Sequence, residues 1–194
     1  MAKSNRENEI KLAFPSPETA VSWLRNAGAH EVRARAFEDN VLFDFPDRSL
    51  TRSGRLLRLR AFGGAALLTF KAPVAGEHRH KLRIEYETAV ADPDALRSIF
   101  LGLGLEPAYR YQKYRATYHL EGVEAALDET PVGTFIELEG APDDVDRAAA
   151  ALGAAPSDYI RATYRELQEK DAAARGVAAG DMLLGAASRP ESAP

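Results

Sequence analysis

The 194-residue chain contains no cysteine, which excludes disulfides, thiolate metal sites and a cysteine nucleophile. It has no apolar run approaching the ~20 residues that a bilayer-spanning helix requires, so no membrane partner is expected. Its opening, Met-Ala-Lys-Ser-Asn-Arg-Glu-Asn-Glu, is too polar for a secretory signal, and the expected location is cytoplasmic. There is no excess of positive charge: 25 Lys and Arg against 29 Asp and Glu give −4 at pH 7. A nucleic-acid partner recruited by a bulk positive field is therefore excluded. No tandem repeat is present, and Gly63-Gly64 is followed by nothing that resembles a phosphate-binding loop. A 45% hydrophobic fraction is enough for the core of one ordinary domain.

What the chain does have is acids and bases spaced two residues apart. Glu7, Glu9 and Lys11 form one such run, and Lys81, Arg83, Glu85 and Glu87 form another. Between them stand Ile10 and Leu12, and Leu82, Ile84 and Tyr86. Side chains two apart on an extended strand share a face, so each strand carries one charged face and one apolar face. The pattern recurs at Arg58 and Arg60, at Lys113 and Arg115, and at Glu137 and Glu139. Thr69 and Lys71 share one face of their strand, with Leu68 and Phe70 on the other.

The spacing predicts strands over about 6–13, 30–37, 40–45, 55–62, 65–71, 79–89, 108–120, 122–128 and 133–139, with a turn at Pro46-Asp47. Helices are predicted after Ser16-Pro17 up to Gly28, over 93–102 behind Asp92, and over 142–152. A fourth is predicted behind Ser157, carrying Tyr159, Ile160, Tyr164 and Leu167 on one side. Trp23 and Phe100 read as core. His30, His78, His80 and His119 read as loop or strand-end residues rather than ligands. This order predicts an α+β fold on an antiparallel sheet with enough strands to close a barrel. From Gly176 onward, small and polar residues predict a disordered tail over 176–194, with weak packing at Met182–Leu184.

A solvated sheet face would also alternate, but the like-charge pairs argue against it. Glu7 with Glu9, Glu85 with Glu87, and Glu137 with Glu139 place carboxylates roughly 6–7 Å apart on one face. Enclosed at an effective dielectric near 20, each pair repels by about 2–3 kcal/mol, which calls for cations. Internal ion pairs seldom return their desolvation cost, so a ligand accounts for so many charges better than stability does. Lys and Arg suit a polyphosphate, and grouped carboxylates suit hard divalent ions such as Mg²⁺ or Mn²⁺.

Glu7-Asn8-Glu9-Ile10-Lys11 resembles the E-x-E-x-K opening of the CYTH superfamily, the triphosphate tunnel metalloenzymes. It is followed, in the family's order, by Leu42-Phe43-Asp44, Leu57-Arg58-Leu59-Arg60, Thr69-Phe70-Lys71, Arg83-Ile84-Glu85-Tyr86-Glu87, Lys113-Tyr114-Arg115, Asp128 and Phe135-Ile136-Glu137-Leu138-Glu139. The resemblance covers about residues 5–170 and implies a domain over 1–175. It implies a closed eight-stranded antiparallel barrel with a charged lumen and helices outside. Carried over by position, Glu7, Glu9, Glu137 and Glu139 are metal ligands, with Asp128 and Glu87 as further candidates acting through water. Arg58, Arg60, Lys71, Arg83, Lys113 and Arg115 bind phosphates, and Lys11 orients or activates the nucleophile or stabilises charge at phosphorus.

Leu42 departs from the pattern, since many members have an aromatic residue there, and in thiamine-triphosphatase-like members a tyrosine in that region pairs with the motif lysine. Tyr109, Tyr111 or Tyr118 could supply a phenol instead. The segment Arg161-Ala162-Thr163-Tyr164-Arg165-Glu166-Leu167 is similar to the closing segment of class IV adenylyl cyclases. The resemblance thus implies a two-ion enzyme converting ATP to cyclic AMP and pyrophosphate. Hydrolysis of tripolyphosphate or thiamine triphosphate is the neighbouring alternative, and a non-catalytic polyphosphate binder the more distant one. A monomer or a homodimer is expected.

Overall fold

A computed structural model describes residues 6–76 and 78–185. Eight strands run β1 (Arg6–Phe14), β2 (His30–Asp44), β3 (Leu56–Phe62), β4 (Ala65–Pro73), β5 (Lys81–Val90), β6 (Glu106–Leu120), β7 (Val123–Thr130) and β8 (Gly133–Glu139). Five helices are interspersed: α1 (Pro17–Asn26), α2 (Ser49–Arg52), α3 (Pro93–Gly102), α4 (Pro142–Ala151) and α5 (Tyr164–Ala174). The strands close into an antiparallel barrel in the order β1-β5-β4-β3-β2-β6-β7-β8. Among the described residues no helix is long and apolar enough to cross a membrane.

β1 closes the circle. On one side it sets Glu7 opposite Arg83 and Glu9 opposite Lys81 of β5. On the other it sets Glu9 opposite Glu139 and Lys11 opposite Glu137 of β8. Because side chains alternate, this register sends Glu7, Glu9 and Lys11 inward and Ile10 and Leu12 outward. The outward residues form the core, which lies between barrel and helices. Ile10, Leu12, Leu120, Val123, Ile136 and Leu138 pack against Ala20 and Leu24 of α1 and Val145, Ala148 and Ala149 of α4. A second cluster sets Val41, Phe43 and Leu59 against Phe100 of α3. Full burial of each large side chain contributes roughly 1.5–3 kcal/mol, so these layers hold the wall around a lumen lined largely by charged side chains.

Helices α1 and α3 start where their caps predict. The Ser16 hydroxyl accepts from the Thr19 N–H at 3.2 Å, and the Asp92 carboxylate accepts from the Ala95 N–H at 2.9 Å.

Four expectations change. The segments 30–37 and 40–45 are one 15-residue strand, β2, whose bulges near Arg33 and between Leu42 and Phe43 reset the alternation and hide its continuity. The fourth helix begins at Tyr164, not after Ser157. Thr163 caps it in a box with Glu166, while Ile160 pairs with Lys11 of β1. Trp23 is 42% exposed rather than core. It lies over Gly153, where a Cβ would come within 2.6 Å of the indole. Finally, the tail expected to be loose from Gly176 is not loose throughout, because Met182 is 1% exposed and bridges to Tyr111. The remainder of that expected tail, 186–194, lies outside the described residues.

Candidate active site: an ionic tunnel

The lumen is a cavity of about 950 Å³, at the upper end of the roughly 300–1,000 Å³ usual for ligand sites. All but one of the site residues expected from sequence line it. Glu7, Glu9, Lys11, Arg58, Arg60, Lys71, Arg83, Glu87, Lys113, Arg115, Glu137 and Glu139 surround one space, with Asp128 fully buried in the wall behind them.

The charged groups alternate in a continuous chain around the wall. Glu87 holds Arg60 at 2.6 Å, Arg60 reaches Glu38 at 3.4 Å, and Glu38 lies 3.6 Å from Lys113. Lys113 meets Asp128 at 2.8 Å, Asp128 meets Arg115 at 2.5 Å, and Arg115 bonds to Glu137. Lys11 then joins Glu137 at 3.1 Å to Glu9 at 3.2 Å, and Glu9 ends the chain on Lys81 at 2.6 Å. A separate group sets Lys71 between Glu7 at 2.5 Å and Glu85 at 3.0 Å. Arg83 donates to the Gly54 carbonyl, which ties β5 to the loop before β3.

Two tyrosines brace the basic side. Tyr111 accepts from Arg58 at 3.1 Å, and Tyr164 donates to Asp128 at 2.5 Å. The Tyr164 ring lies 5.3 Å from the Lys11 ammonium and 5.0 Å from that of Lys113, within cation–π range. Of the tyrosines expected to supply a phenol, Tyr111 serves Arg58 and Tyr118 bonds to Glu31 at 3.3 Å. Beside Lys11 it is Tyr164 that stands.

Burial and neighbours divide the acids into two sets. For Glu9 and Glu137, burial favours the neutral form, but Lys11 with Lys81 and Lys11 with Arg115 outweigh it and hold both well below the usual carboxylate range. Glu38 is likewise drawn down to about 2 against burial, chiefly by Lys113 and Arg115. Glu7 goes the other way: burial, aided by Glu9 and Glu85, overrides Lys71 and pushes it up to about 8. Glu139 rises to about 7 through burial and the charges of Glu85, Glu124 and Glu9. Lys11, although buried, is pushed up by Glu137 and Glu9; it stays an ammonium and cannot take a proton. As an ammonium it can donate hydrogen bonds and face negative charge.

The acidic sector around Glu7, Glu9, Glu85 and Glu139 fits a hard divalent ion. Its donors are carboxylate oxygens, its members oppose each other's ionisation, and Glu7 Oε2 is buried with no hydrogen-bond partner. Among the described residues, however, no three acidic or histidine side chains already stand gathered as a cage; Lys71 pairs with Glu7 and Glu85, and Lys81 with Glu9. The other expected ligands are engaged by bases: Glu137 by Lys11 and Arg115, Asp128 by Lys113 and Arg115, and Glu87 by Arg60. His80 is 3% exposed, bonded to Asn8 and to Asp146 at 2.8 Å outside the lumen.

Glu38, Tyr111 and Tyr164 lie outside the set of ligands and phosphate binders expected from sequence. Glu38 sits opposite Lys113 on β2, the strand whose bulges obscure its alternation. Tyr164 is hidden in the apolar stripe of a helix. Glu85 and Lys81 carry the right signal, since they share the face of Arg83 and Glu87.

The class defined by this geometry is the closed tunnel barrel with an ionic lumen. The CYTH domain family model matches residues 5–172, and the chain belongs to that family. A protein of Methanocaldococcus jannaschii, named as a candidate adenylate cyclase, is 28% identical over 173 residues covering 84% of this chain and 98% of its own. The crystal structure of a candidate adenylate cyclase from Vibrio parahaemolyticus superposes with a TM-score of 0.72 at 21% identity, covering 85% of this chain and 98% of its own. A Hippeastrum protein, described as a candidate adenylyl cyclase with a dominant triphosphatase activity, has a TM-score of 0.59 at 19% identity, covering 89% of this chain and 97% of its own.

Proposed function

We propose that the chain is a divalent-metal-dependent enzyme acting on a triphosphate inside the tunnel, and that it converts ATP to cyclic AMP and pyrophosphate. The observation that carries this reading is the convergence of Arg58, Arg60, Lys113 and Arg115 on the same cavity as Glu7, Glu9 and Glu139. A triphosphate brings about four negative charges, and phosphoryl transfer is catalysed mainly by positioning and charge neutralisation.

Arg58, Arg60, Lys71, Arg83, Lys113 and Arg115 grip the phosphates. Asp128, Glu137 and Glu87 aim these bases rather than bind the ion. Glu7 and Glu9 hold the divalent ion, which when bound supplies charge neutralisation and alignment of the hydroxyl. The ribose 3′-oxygen attacks the α-phosphorus. The bond from that phosphorus to the bridging oxygen breaks, and pyrophosphate leaves with the electron pair. Glu139, titrating near neutrality, takes the hydroxyl proton, and Lys11 neutralises the charge that builds on phosphorus. Leu42, Leu57, Ala108 and Tyr109 line the cavity, an apolar stretch suited to an organic group rather than to a fourth charged unit.

The second reading is hydrolysis of a triphosphate, with water as nucleophile; the activity described for the Hippeastrum relative favours keeping it. Incubation with ATP, thiamine triphosphate and tripolyphosphate under Mg²⁺ and Mn²⁺, with all products identified, separates the readings. Cyclic AMP with stoichiometric pyrophosphate supports the first, and orthophosphate release supports the second. Binding without ion-dependent product would leave only a binding module.

A further inference from the structure

β6 outruns its neighbour: it stops pairing with β7 at Tyr114, leaving the main chain of residues 109–112 without β7 beside it. The C-terminal segment fills that place. The Met182 N–H donates to the Arg110 carbonyl at 2.9 Å, and the Gln112 N–H donates to the Met182 carbonyl at 2.8 Å. The Arg110 N–H donates to the Asp181 carboxylate at 2.8 Å. The Met182 side chain enters a cluster of Tyr109, Tyr111, Phe135 and Tyr164. Two of these rings carry the hydroxyls that hold Arg58 and Asp128. Residues 181–182 lie beyond the 5–172 stretch that the family model matches.

We propose that Asp181–Met182 is a strap, added as a strand to β6, and that Met182 is a positioning residue for the phosphate-binding bases. It acts through two paths: Tyr111 to Arg58, and Tyr164 to Asp128 and thence to Lys113 and Arg115. An unbranched thioether fills an irregular gap among rings and makes favourable sulfur–aromatic contacts. Pinning the rings this way removes motion that binding would otherwise have to freeze. The inference rests on the triphosphate reading of the tunnel.

The test is calorimetric titration of inorganic tripolyphosphate into the full chain and three variants. Met182→Ala is expected to weaken binding about tenfold, since truncation frees the rings and the bases they hold lose their preorganised alignment. Met182→Leu should restore binding to within about twofold. Leu152→Ala, in the other core cluster against α4, should lose comparable thermal stability with an unchanged Kd. A Met182→Ala Kd within twofold of the unaltered chain overturns the proposal, as does an equal loss of binding in Leu152→Ala. Should Met182→Ala fail to fold, amide hydrogen exchange on the unaltered chain decides. Saturating tripolyphosphate must slow exchange across 177–185, a segment that does not line the lumen, because coupling between two sites is reciprocal. Unchanged exchange there refutes the strap. Binding without turnover would remove the enzymatic reading and leave the strap supported or refuted by these same numbers, whereas no binding by the unaltered chain would remove both.

Discussion

Lys11 and Glu137 face each other across the β1–β8 pairing, and their charged ends meet at 3.1 Å inside the tunnel. Glu9 shares the same ammonium, so one cation separates two acids. Lys11→Met should leave both carboxylates buried and short of a partner, a loss on the order of 3–5 kcal/mol at pH 8. Turnover should fall by at least a hundredfold with it. Urea denaturation at pH 8 and steady-state turnover check this, and a variant that loses neither would contradict it.

Glu7 sets a pH dependence of the opposite kind. Its folded value of about 8 lies above the ordinary 4.5, so between these the folded chain keeps a proton that the unfolded chain releases. Its contribution is full below about pH 4.5 and declines as pH rises to about 8. Glu7→Gln should therefore match the unaltered chain at pH 5 and exceed it at pH 9 by on the order of a few kcal/mol, since each tenfold change in proton affinity is worth about 1.4 kcal/mol. Glu9, Glu38 and Glu137, held below their ordinary values, contribute stability above about pH 4.5 that is lost as the medium turns more acid. Urea denaturation at pH 5 and pH 9 checks the Glu7 effect, and a variant no more stable at pH 9 than the unaltered chain would refute it.

On the proposed reading, a divalent ion seated on Glu7 and Glu9 must expel the proton held on the raised Glu7 carboxyl. Adding Mg²⁺ or Mn²⁺ at pH 7 in weak buffer should release about one proton per ion bound, read with an indicator dye. The release should shrink at pH 9 and in Glu7→Gln. Ion binding with no proton release would place the ion elsewhere.

Arg60 stands between Glu87 and Glu38 and is proposed to grip phosphate. Arg60→Ala should raise the KM for triphosphates about 10- to 100-fold with a smaller change in kcat, since a charge-assisted contact is worth roughly 1.5–3 kcal/mol. Steady-state kinetics reads this directly, and an unchanged KM would take Arg60 out of the grip.

Alternation carries most of the fold and much of the lumen. Wherever a strand is free of bulges, as in β1, β5 and β8, residue parity alone separates lumen from core, and Glu9 and Ile136 fall on the proper sides. What parity does not reach is β2, where bulges near Arg33 reverse the count before Glu38. Nor does it reach contacts between distant segments. The Tyr164 hydroxyl on Asp128 and the burial of Met182 depend on where α5 and the C-terminal stretch land, and no local periodicity encodes that. Motif position reports that Asp128 and Glu137 approach the tunnel, and says nothing of the bases, Lys113, Arg115 and Lys11, that pair with them there.

In the unbroken run of pairs from Glu87 to Lys81, a guest that engages any one member displaces a partner that member already holds. An anion that captures Arg115 strips Glu137 of a counter-charge, and a cation that captures Glu9 frees Lys81 and Lys11 for the anion. On the proposed reading each guest would prepare the seat of the other, and by linkage the factor by which metal tightens triphosphate would equal the factor by which triphosphate tightens metal.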